Sequence, residues 1–136
     1  MNRLLDMGVE DYLLTSTVNG ILAQRLVRTL CPHCKEPYAA LPEIVEQLGL
    51  SRFSGESQIM LWRPTGCPQC AHTGYSGRIS ILEMLTVTDP LRSLVMKHAS
   101  ATDLRNEAIR EGMLTMYEDG LRKAVRGTTT FEEVLR

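Results

Sequence analysis

The sequence has few aromatic residues and almost no excess of charge. Of its 136 residues, two are Phe, four are Tyr and one is Trp, so a platform of rings for stacking nucleic-acid bases would have few members. Its 15 Lys and Arg against 16 Asp and Glu give a net charge of −1, whereas a nucleic-acid-binding domain usually carries a basic face. Both features argue against nucleic acid as a partner.

The sequence also lacks the apolar segments of membrane-spanning and exported proteins. No apolar run reaches the roughly 20 residues that cross a bilayer, and no charged, apolar and cleavage regions follow one another as in a signal peptide. Apolar residues make up 43% and charged residues 23% of the chain, which is typical of a globular protein. We therefore expect a cytoplasmic protein.

Motifs for nucleotide binding and catalysis are missing as well. The sequence contains no Gly-x-x-x-x-Gly-Lys-Ser/Thr phosphate loop and no Rossmann fingerprint. No carboxylate pair or Ser/His/Asp set has a spacing that argues for catalysis. Asp103, Glu107 and Glu111 recur at helical spacing, which a solvated helix face explains. By itself, this chain is expected to catalyse nothing.

Four cysteines form the strongest motif in the sequence. They lie in two Cys-Pro-x-Cys pairs, Cys31 with Cys34 and Cys67 with Cys70. Two residues between cysteines allow one tight turn to present both thiolates to one ion, and Zn²⁺ prefers four tetrahedral soft ligands. We predict one structural Zn²⁺ per chain, held by these four residues. The ion would fix the span from Cys31 to Gly77, whose own apolar core is thin.

Three other interpretations of the four thiols stay open and rank below zinc. Disulfides are less expected than a metal in a chain without a secretory signal. Unrelated buried or redox cysteines and an iron–sulfur cluster also use these residue types. His33 and His72 lie beside the pairs, and either can replace a cysteine as ligand. With four thiols present, we expect both histidines to face solvent or to lie outside the ligand shell.

The apolar pattern predicts a mixture of strands and helices, and therefore an α+β fold. Strands are predicted at 21–30, 59–63 and 78–87. Helices are predicted from apolar spacing and capping residues at 41–49, 89–98, 100–112, 115–127 and 131–136. The cap residues are Thr88 or Asp89, then Ser100 with Asp103, Thr115 with Glu118, and Thr130 with Glu133. The helices after residue 88 are expected to form a small bundle.

The first thirty residues are strongly apolar. Leu4, Leu5 and Met7 share a helical face that Gly8 would end, and many apolar residues follow. A natural N-terminus is usually more polar. We expect this segment to pack on a neighbour in a longer protein or on the later part of the chain, with an ordinary helical start as the alternative.

Several runs of sequence resemble the C-terminal end of the ATPases of type II secretion and type IV pilus assembly. The matching runs are 3–8, 22–38, 66–78 and 81–85. The resemblance covers nearly the whole chain, with residues 40–60 matched least. Four cysteines in an insertion are typical of the secretion and pilus-extension branch of that family. Arg25, Arg28 and Arg78 also match the family pattern, although we assign no nucleotide contact to them.

The resemblance implies a fold and a division into domains. It predicts the end of a RecA-like ATPase domain at 1–30, a zinc-binding insertion at 31–77, a returning strand at 78–88 and a helical subdomain at 89–136. Residues 24–26 and 77–87 would lie in neighbouring antiparallel strands, with the insertion between them. The phosphate loop, acidic boxes and His box would lie upstream. The chain would then be a C-terminal fragment, and Mg-ATP would bind to its parent only.

The resemblance also implies a function for that parent. It would be a homo-hexameric motor, cytoplasmic and peripheral to the inner membrane, that drives pseudopilus assembly in type II protein secretion. Its partners would be the inner-membrane platform and cytoplasmic-domain proteins of the secretion apparatus, and the zinc module would be a rigid lever or docking surface. The alternatives are a type IV pilus-extension ATPase and a stand-alone zinc ribbon that binds nucleic acid.

Overall fold

The chain forms short helices and two pairs of strands over residues 2–136, which are the residues that this computed structural model describes. The helices are α1 (Asn2–Asp6), α2 (Asp11–Thr17), α3 (Pro42–Leu48), α4 (Asp89–Met96), α5 (Ala101–Arg110), α6 (Met116–Val125) and α7 (Phe131–Leu135). The strands are β1 (Gly20–Leu30), β2 (Lys35–Ala39), β3 (Met60–Pro64) and β4 (Tyr75–Thr86). Short 3₁₀ turns occupy Leu50–Arg52 and Pro68–Cys70. This mixture confirms the predicted α+β class.

The two longest strands, β1 and β4, pair with each other. At one end of the pair, the N–H of Cys31 donates to the carbonyl of Gly74 at 3.0 Å, and at the other, the N–H of Val87 donates to the carbonyl of Asn19 at 2.9 Å. Early residues of β1 therefore lie opposite late residues of β4, so the strands run antiparallel. The strands expected at 24–26 and 77–87 are thus neighbours, and the chain between them forms an excursion.

A second pair of strands, β2 and β3, lies inside this excursion. The strands are antiparallel, with Lys35 opposite Pro64 and Ala39 opposite Met60. β2 is not predicted from the sequence, because Glu36 and Pro37 are poor strand formers. Proline is accepted on an edge strand, and pairing with the strongly apolar β3 outweighs the weak propensity of β2.

The structure divides into two compact units. Unit 1 contains the residues up to Ala23 and Glu83–Thr115, and unit 2 contains Gln24–Leu82 and Met116–Arg136. β1 and β4 run through both units. The helices after residue 88 also fall in both, since α4 and α5 belong to unit 1 and α6 and α7 to unit 2. The domain limits drawn from the sequence stay a prediction.

Unit 1 is built around the packing of α4 on α5. Its buried cluster comprises Leu91, Val95, Leu104 and Ala108. These belong to the apolar stripes expected from helical spacing, although Ile109 of the second stripe is 41% exposed. α5 begins with the predicted capping box. The N–H of Asp103 donates to the Ser100 hydroxyl at 3.1 Å, and the N–H of Ser100 donates to the Asp103 carboxylate at 3.2 Å. Two N–H groups at the start of the helix are thereby satisfied.

Unit 2 is built around apolar residues from the excursion and from α6. Its buried cluster comprises Leu48, Leu50, Ile59, Leu61 and Leu121. The first four lie between the two cysteine pairs, and Leu121 lies on α6. The excursion therefore has more apolar support than its own sequence suggests, because α6 supplies a buried leucine to its core.

The chain after α6 covers the edge of β1. The N–H of Leu30 donates to the carbonyl of Thr128 at 2.9 Å. The hydroxyl of the fully buried Thr129 donates to the carbonyl of Arg28 at 2.7 Å, and the N–H of Arg28 donates to the Glu133 carboxylate at 3.0 Å. Exposed strand edges invite pairing with other chains, and this segment occupies the edge instead.

The last helix, α7, uses its predicted cap only in part. The Thr130 hydroxyl accepts from the N–H of Glu133, as predicted. The Glu133 carboxylate does not reach back, and instead it accepts from Nη2 of Arg28 at 2.6 Å. This hydrogen bond lowers the pKa of Glu133, and it outweighs the burial that raises it. The residue that the sequence pattern assigns to a local cap thus joins β1 to α7 through its contact with Arg28.

Replacing Glu133 with glutamine is expected to remove an acid-sensitive part of the stability. The pKa of Glu133 in the folded chain lies below its ordinary value of 4.5. Its stabilising effect is therefore complete above that value and is lost as the pH falls through the folded-state pKa. In urea unfolding followed by circular dichroism, we expect the wild type to lose free energy of unfolding more steeply than Glu133→Gln below about pH 5.

The neighbouring Glu132 offers a matched control, because its side chain is exposed. Glu132→Gln should follow the wild-type pH dependence. If Glu133→Gln followed it too, the ion pair with Arg28 would not be a source of the acid sensitivity.

Candidate metal centre

The first cysteine pair lies in the tight turn that joins β1 to β2. Cys31 follows the last residue of β1, and Cys34 precedes the first residue of β2. The carbonyl of Cys31 accepts from the N–H of Cys34 at 3.4 Å and of Lys35 at 3.1 Å. This turn brings both sulfurs to one side of the chain, with Cys31 only 1% exposed.

The second cysteine pair lies in the 3₁₀ turn before β4. The N–H of Cys67 donates to the sulfur of Cys70 at 3.2 Å, and the N–H of Gly74 donates to the same sulfur at 3.2 Å. Gly74 has φ = +75°, and a Cβ there would overlap Pro64. Only glycine therefore allows the chain to pass this close to β3 and still reach the sulfur.

The four sulfur atoms lie within 4.8 Å of one another. Their separations are 3.9 Å between Cys31 and Cys67, 3.8 Å between Cys34 and Cys70, and 3.7 Å between Cys67 and Cys70. Four thiolates at about 2.3 Å from a tetrahedral ion would be about 3.8 Å apart. A disulfide would need about 2.05 Å, and all four cysteines are free. The two pairs thus form one cluster that can hold a metal ion.

The surroundings of the cluster favour ionisation of one thiol. Burial raises the pKa of Cys70, but the N–H groups of Cys67 and Gly74 and the neighbouring thiols lower it to about 6. The pKa of Cys31 shifts in the opposite direction. A hydrogen bond from the backbone of His33 lowers it, yet burial and the other three thiols raise it to about 11. A bound divalent cation deprotonates coordinating thiols outright.

Both histidines near the cysteines lie outside the cluster. Neither His33 nor His72 contributes an atom to the group of potential ligands, and both side chains are exposed. This agrees with the expectation from sequence. His72 follows the second pair with φ = +59°, a left-handed conformation that continues the tight turn begun by Pro68–Cys70.

A contact that is not predicted from the sequence joins Lys35, the residue after Cys34, to the end of α6. Nζ of Lys35 donates to the carbonyl of Gly127 at 2.6 Å and lies 4.6 Å from the centre of the Trp62 ring. Gly127 has φ = +70°, and a Cβ there would approach the ring to 2.6 Å. Gly127 was predicted only as a helix end, and no sequence pattern links residues 92 positions apart. The sheet of β2 and β3 is held at the helix C-terminus, where a cation is favoured.

The three arginines that match the family pattern lie close together in unit 2. Arg28 pairs with Glu133 at 2.6 Å and lies 4.0 Å over the ring of Tyr75. Arg25 donates to the carbonyl of Val134 at 2.6 Å. Arg25, Arg28 and Arg78 line one cavity.

None of the described helices is long and apolar enough to span a membrane.

Comparison with known proteins gives matches along the whole chain. A family model for type II/IV secretion system proteins matches residues 1–136. Type II secretion system protein E of Xanthomonas campestris pv. campestris is 55% identical over 136 residues, which are all of this chain and 24% of that protein. Type II secretion system ATPase E of Vibrio cholerae is 45% identical over 136 residues, again all of this chain and 26% of that protein.

A relative from pilus assembly is similar to nearly the same degree as the Vibrio protein. Type IV pilus assembly ATPase PilB of Thermus thermophilus is 44% identical over 138 aligned residues, covering 99% of this chain and 15% of that protein. The chain thus spans about a quarter or less of the length of these curated relatives.

Proposed function

The chain belongs to the type II/IV secretion system protein family, and from this premise we propose that it forms the C-terminal zinc-binding region of an ATPase that powers type II protein secretion. The proposal for this region itself is supported by the closeness of the four sulfurs, which all lie within 4.8 Å of one another, with three separations of 3.7–3.9 Å. The proposal for the parent is supported by 55% identity, over all 136 residues, to a type II secretion system protein E.

Zinc is the proposed metal, with Cys31, Cys34, Cys67 and Cys70 as its ligands. Four thiolates favour Zn²⁺, and four protein ligands leave no position for substrate. The ion would supply cross-linking only, joining the start of β2 to the turn before β4. N–H groups of Cys67 and Gly74 would stabilise the charge on the Cys70 sulfur.

The proposed role of this region is mechanical. The ion would join the two ends of the excursion, where the cysteine pairs lie; we call this the neck. Its body is attached to α6 by the packing of Leu121 in the core and to the residue Gly127 after α6 by the hydrogen bond from Lys35. Such an element can pass a displacement of one part of unit 2 to the rest of that unit. In the parent, a homo-hexamer driven by Mg-ATP at the cytoplasmic face of the inner membrane, it would act as a lever or docking surface towards the membrane platform and cytoplasmic-domain proteins of the secretion apparatus.

A second candidate function is pilus extension. Its specific support is the 44% identity to a type IV pilus assembly ATPase over 99% of this chain. The same cluster would then serve a motor that builds a true pilus. Only the assembled fibre differs between the two candidates, and the proposed role of the zinc is the same.

The purified chain is expected to contain about one zinc ion and to bind no nucleotide. Zinc is measured by inductively coupled plasma mass spectrometry, and nucleotide binding by titration with a fluorescent ATP analogue and Mg²⁺. The first expectation follows from the four sulfurs, and the second from the absence of a phosphate loop in the sequence. A chain purified without metal, yet with an ordered cysteine cluster, would contradict the zinc assignment.

A chimera tests the function. The matched 136-residue segment of the Xanthomonas relative is replaced by this chain, and export of type II substrates is measured in a strain lacking the native protein. We expect export with the wild-type segment and none with a Cys67→Ser segment present in equal amount. Export by the Cys67→Ser chimera at the wild-type level would refute the role of the metal. The same exchange into the Thermus relative, with pili counted by electron microscopy, tests the second candidate.

A further inference from the structure

A basic cavity lies beside β1 and α7, in unit 2 and separate from the cysteine cluster. We call it the arginine pocket. Its volume is about 330 Å³, and it is lined by Arg25, Leu26, Arg28, Arg78, Glu133 and Arg136. The lining side chains include four guanidinium groups and one carboxylate, so together these side chains carry an excess of three positive charges.

The single carboxylate in the pocket, that of Glu133, is already bound by arginines. Glu133 accepts from Nη2 of Arg28 at 2.6 Å, and Nη1 of Arg136 lies 3.6 Å from the same oxygen. Arg28 is further occupied by the ring of Tyr75 beneath it. Glu133 is therefore paired with Arg28 and Arg136. The other two arginines of the pocket, Arg25 and Arg78, have no acidic partner there.

Two of those arginines have donors to spare. A guanidinium has five N–H donors in a planar fork that fits a carboxylate. Arg25 gives one donor to the carbonyl of Val134, and it forms no ion pair with any residue of the described chain. The side chain of Arg78 is exposed, and among residues 2–136 it forms neither an ion pair nor a hydrogen bond.

The pocket also has an apolar wall. Leu26 lies between Arg25 and Arg28 on β1, and it is 56% exposed. A small inorganic anion would leave this leucine in water, whereas a peptide with an apolar side chain among its carboxylates would cover it. Burial of such a side chain and pairing of the free guanidiniums then add together.

We propose that the arginine pocket binds an acidic polypeptide segment of a partner protein, with carboxylates paired to Arg25 and Arg78 and an apolar side chain against Leu26. This surface does not depend on the metal or on the proposed function. The chemistry of the pocket defines its partner as a segment with an apolar residue and at least one carboxylate on each side of it.

The test is a binding titration with the full chain and a blocked hexapeptide, Glu-Leu-Glu-Glu-Leu-Glu, followed by NMR chemical shifts. A peptide with glutamine in place of glutamate is the matched probe. Arg78→Gln is the informative variant, since Arg78 has no partner in the fold and its loss should leave the structure intact. Arg126→Gln is its control, because Arg126 is exposed in the same unit and does not line the pocket.

We expect the glutamate peptide to shift resonances of residues 25–28 and 78, and its Kd to rise about five-fold in Arg78→Gln but not in Arg126→Gln. Equal binding of the glutamine peptide, equal loss in both variants, or no binding by about 5 mM peptide would each overturn the proposal. Pyrophosphate is titrated in parallel. If it bound more tightly than the glutamate peptide and depended on Arg78, the pocket would be a phosphate site and the proposal would fail.

Discussion

Changing Cys67 to serine is expected to lower the zinc content from about one ion per chain to nearly none. The sulfur of Cys67 lies 3.9 Å from that of Cys31 and 3.7 Å from that of Cys70, so Cys67 contacts both its own pair and the other one. A serine hydroxyl stays protonated at neutral pH and is a poor ligand for a soft site. In zinc-finger peptides, metal binding provides on the order of 10 kcal/mol of folding free energy.

The structural consequence should be confined to the neck of the excursion at first. Amide hydrogen exchange is expected to accelerate in β2, which begins directly after Cys34. It should also accelerate on both sides of the turn Pro68–Cys70, where the N–H groups of Cys67 and Gly74 donate to the Cys70 sulfur. The buried cluster of α4 and α5 in unit 1 should keep its protection, because it contains no cysteine. Zinc content is measured by plasma mass spectrometry and exchange by mass spectrometry of peptic peptides.

His33→Ala and His72→Ala are the matched controls for this prediction. Both residues lie next to a cysteine pair, but both are exposed and outside the ligand group. Each variant should keep one zinc per chain. Loss of zinc in either histidine variant, or retention of zinc in Cys67→Ser, would show that the ligand set is different from the four thiols.

The metal cluster could be predicted from sequence because its information is local. Each Cys-Pro-x-Cys pair fixes two sulfurs within one turn, whatever the rest of the chain does. The only long-range requirement is that the turns meet, and the pairing of β1 with β4 brings Cys31 beside Gly74, just after the second pair. The start of α5 was predictable for the same reason, since the Ser100 and Asp103 cap involves residues three positions apart. The cap predicted at Thr88 was wrong, because its hydroxyl makes no capping hydrogen bond and donates to the Glu111 carboxylate instead.

Contacts between distant residues could not be predicted in this way. The sequence shows that Leu121 belongs to an apolar stripe, but not which surface that stripe faces. Grouping α6 with the helices before it was natural from chain order, whereas in the structure its leucine packs on residues of the excursion. Glu133 gives a similar lesson, since its spacing from Thr130 indicates a local cap while its carboxylate pairs with Arg28, 105 positions away.

The proposed mechanical role therefore depends on two different attachments of the excursion. Metal ligation would close its neck, and apolar packing joins its body to α6. A lever needs both, because a closed neck alone would leave β3 free to separate from the helix. The two attachments use different residues, so they can be broken one at a time.

Changing Leu121 to alanine breaks the second attachment and is expected to cost about 2–5 kcal/mol of unfolding free energy. Leu121 has no exposed surface, and it packs with Leu50 and Leu61 of the excursion. The matched control is Leu135→Ala, since Leu135 is 55% exposed on α7 and should lose about 0.5 kcal/mol or less. Both values are measured by urea unfolding of the zinc-loaded chain.

If the region acts as a lever, this variant should also change hydrogen exchange and export. Leu121→Ala should keep one zinc per chain, since no cysteine is altered, yet its hydrogen exchange should accelerate in β3 as well as in α6. Export by the corresponding chimera should then fall although the metal is still bound, because the excursion no longer moves with α6. Faster exchange limited to α6, with β3 fully protected and export unchanged, would mean that the excursion transmits nothing through this contact. Metal ligation alone would then account for the rigidity of the region.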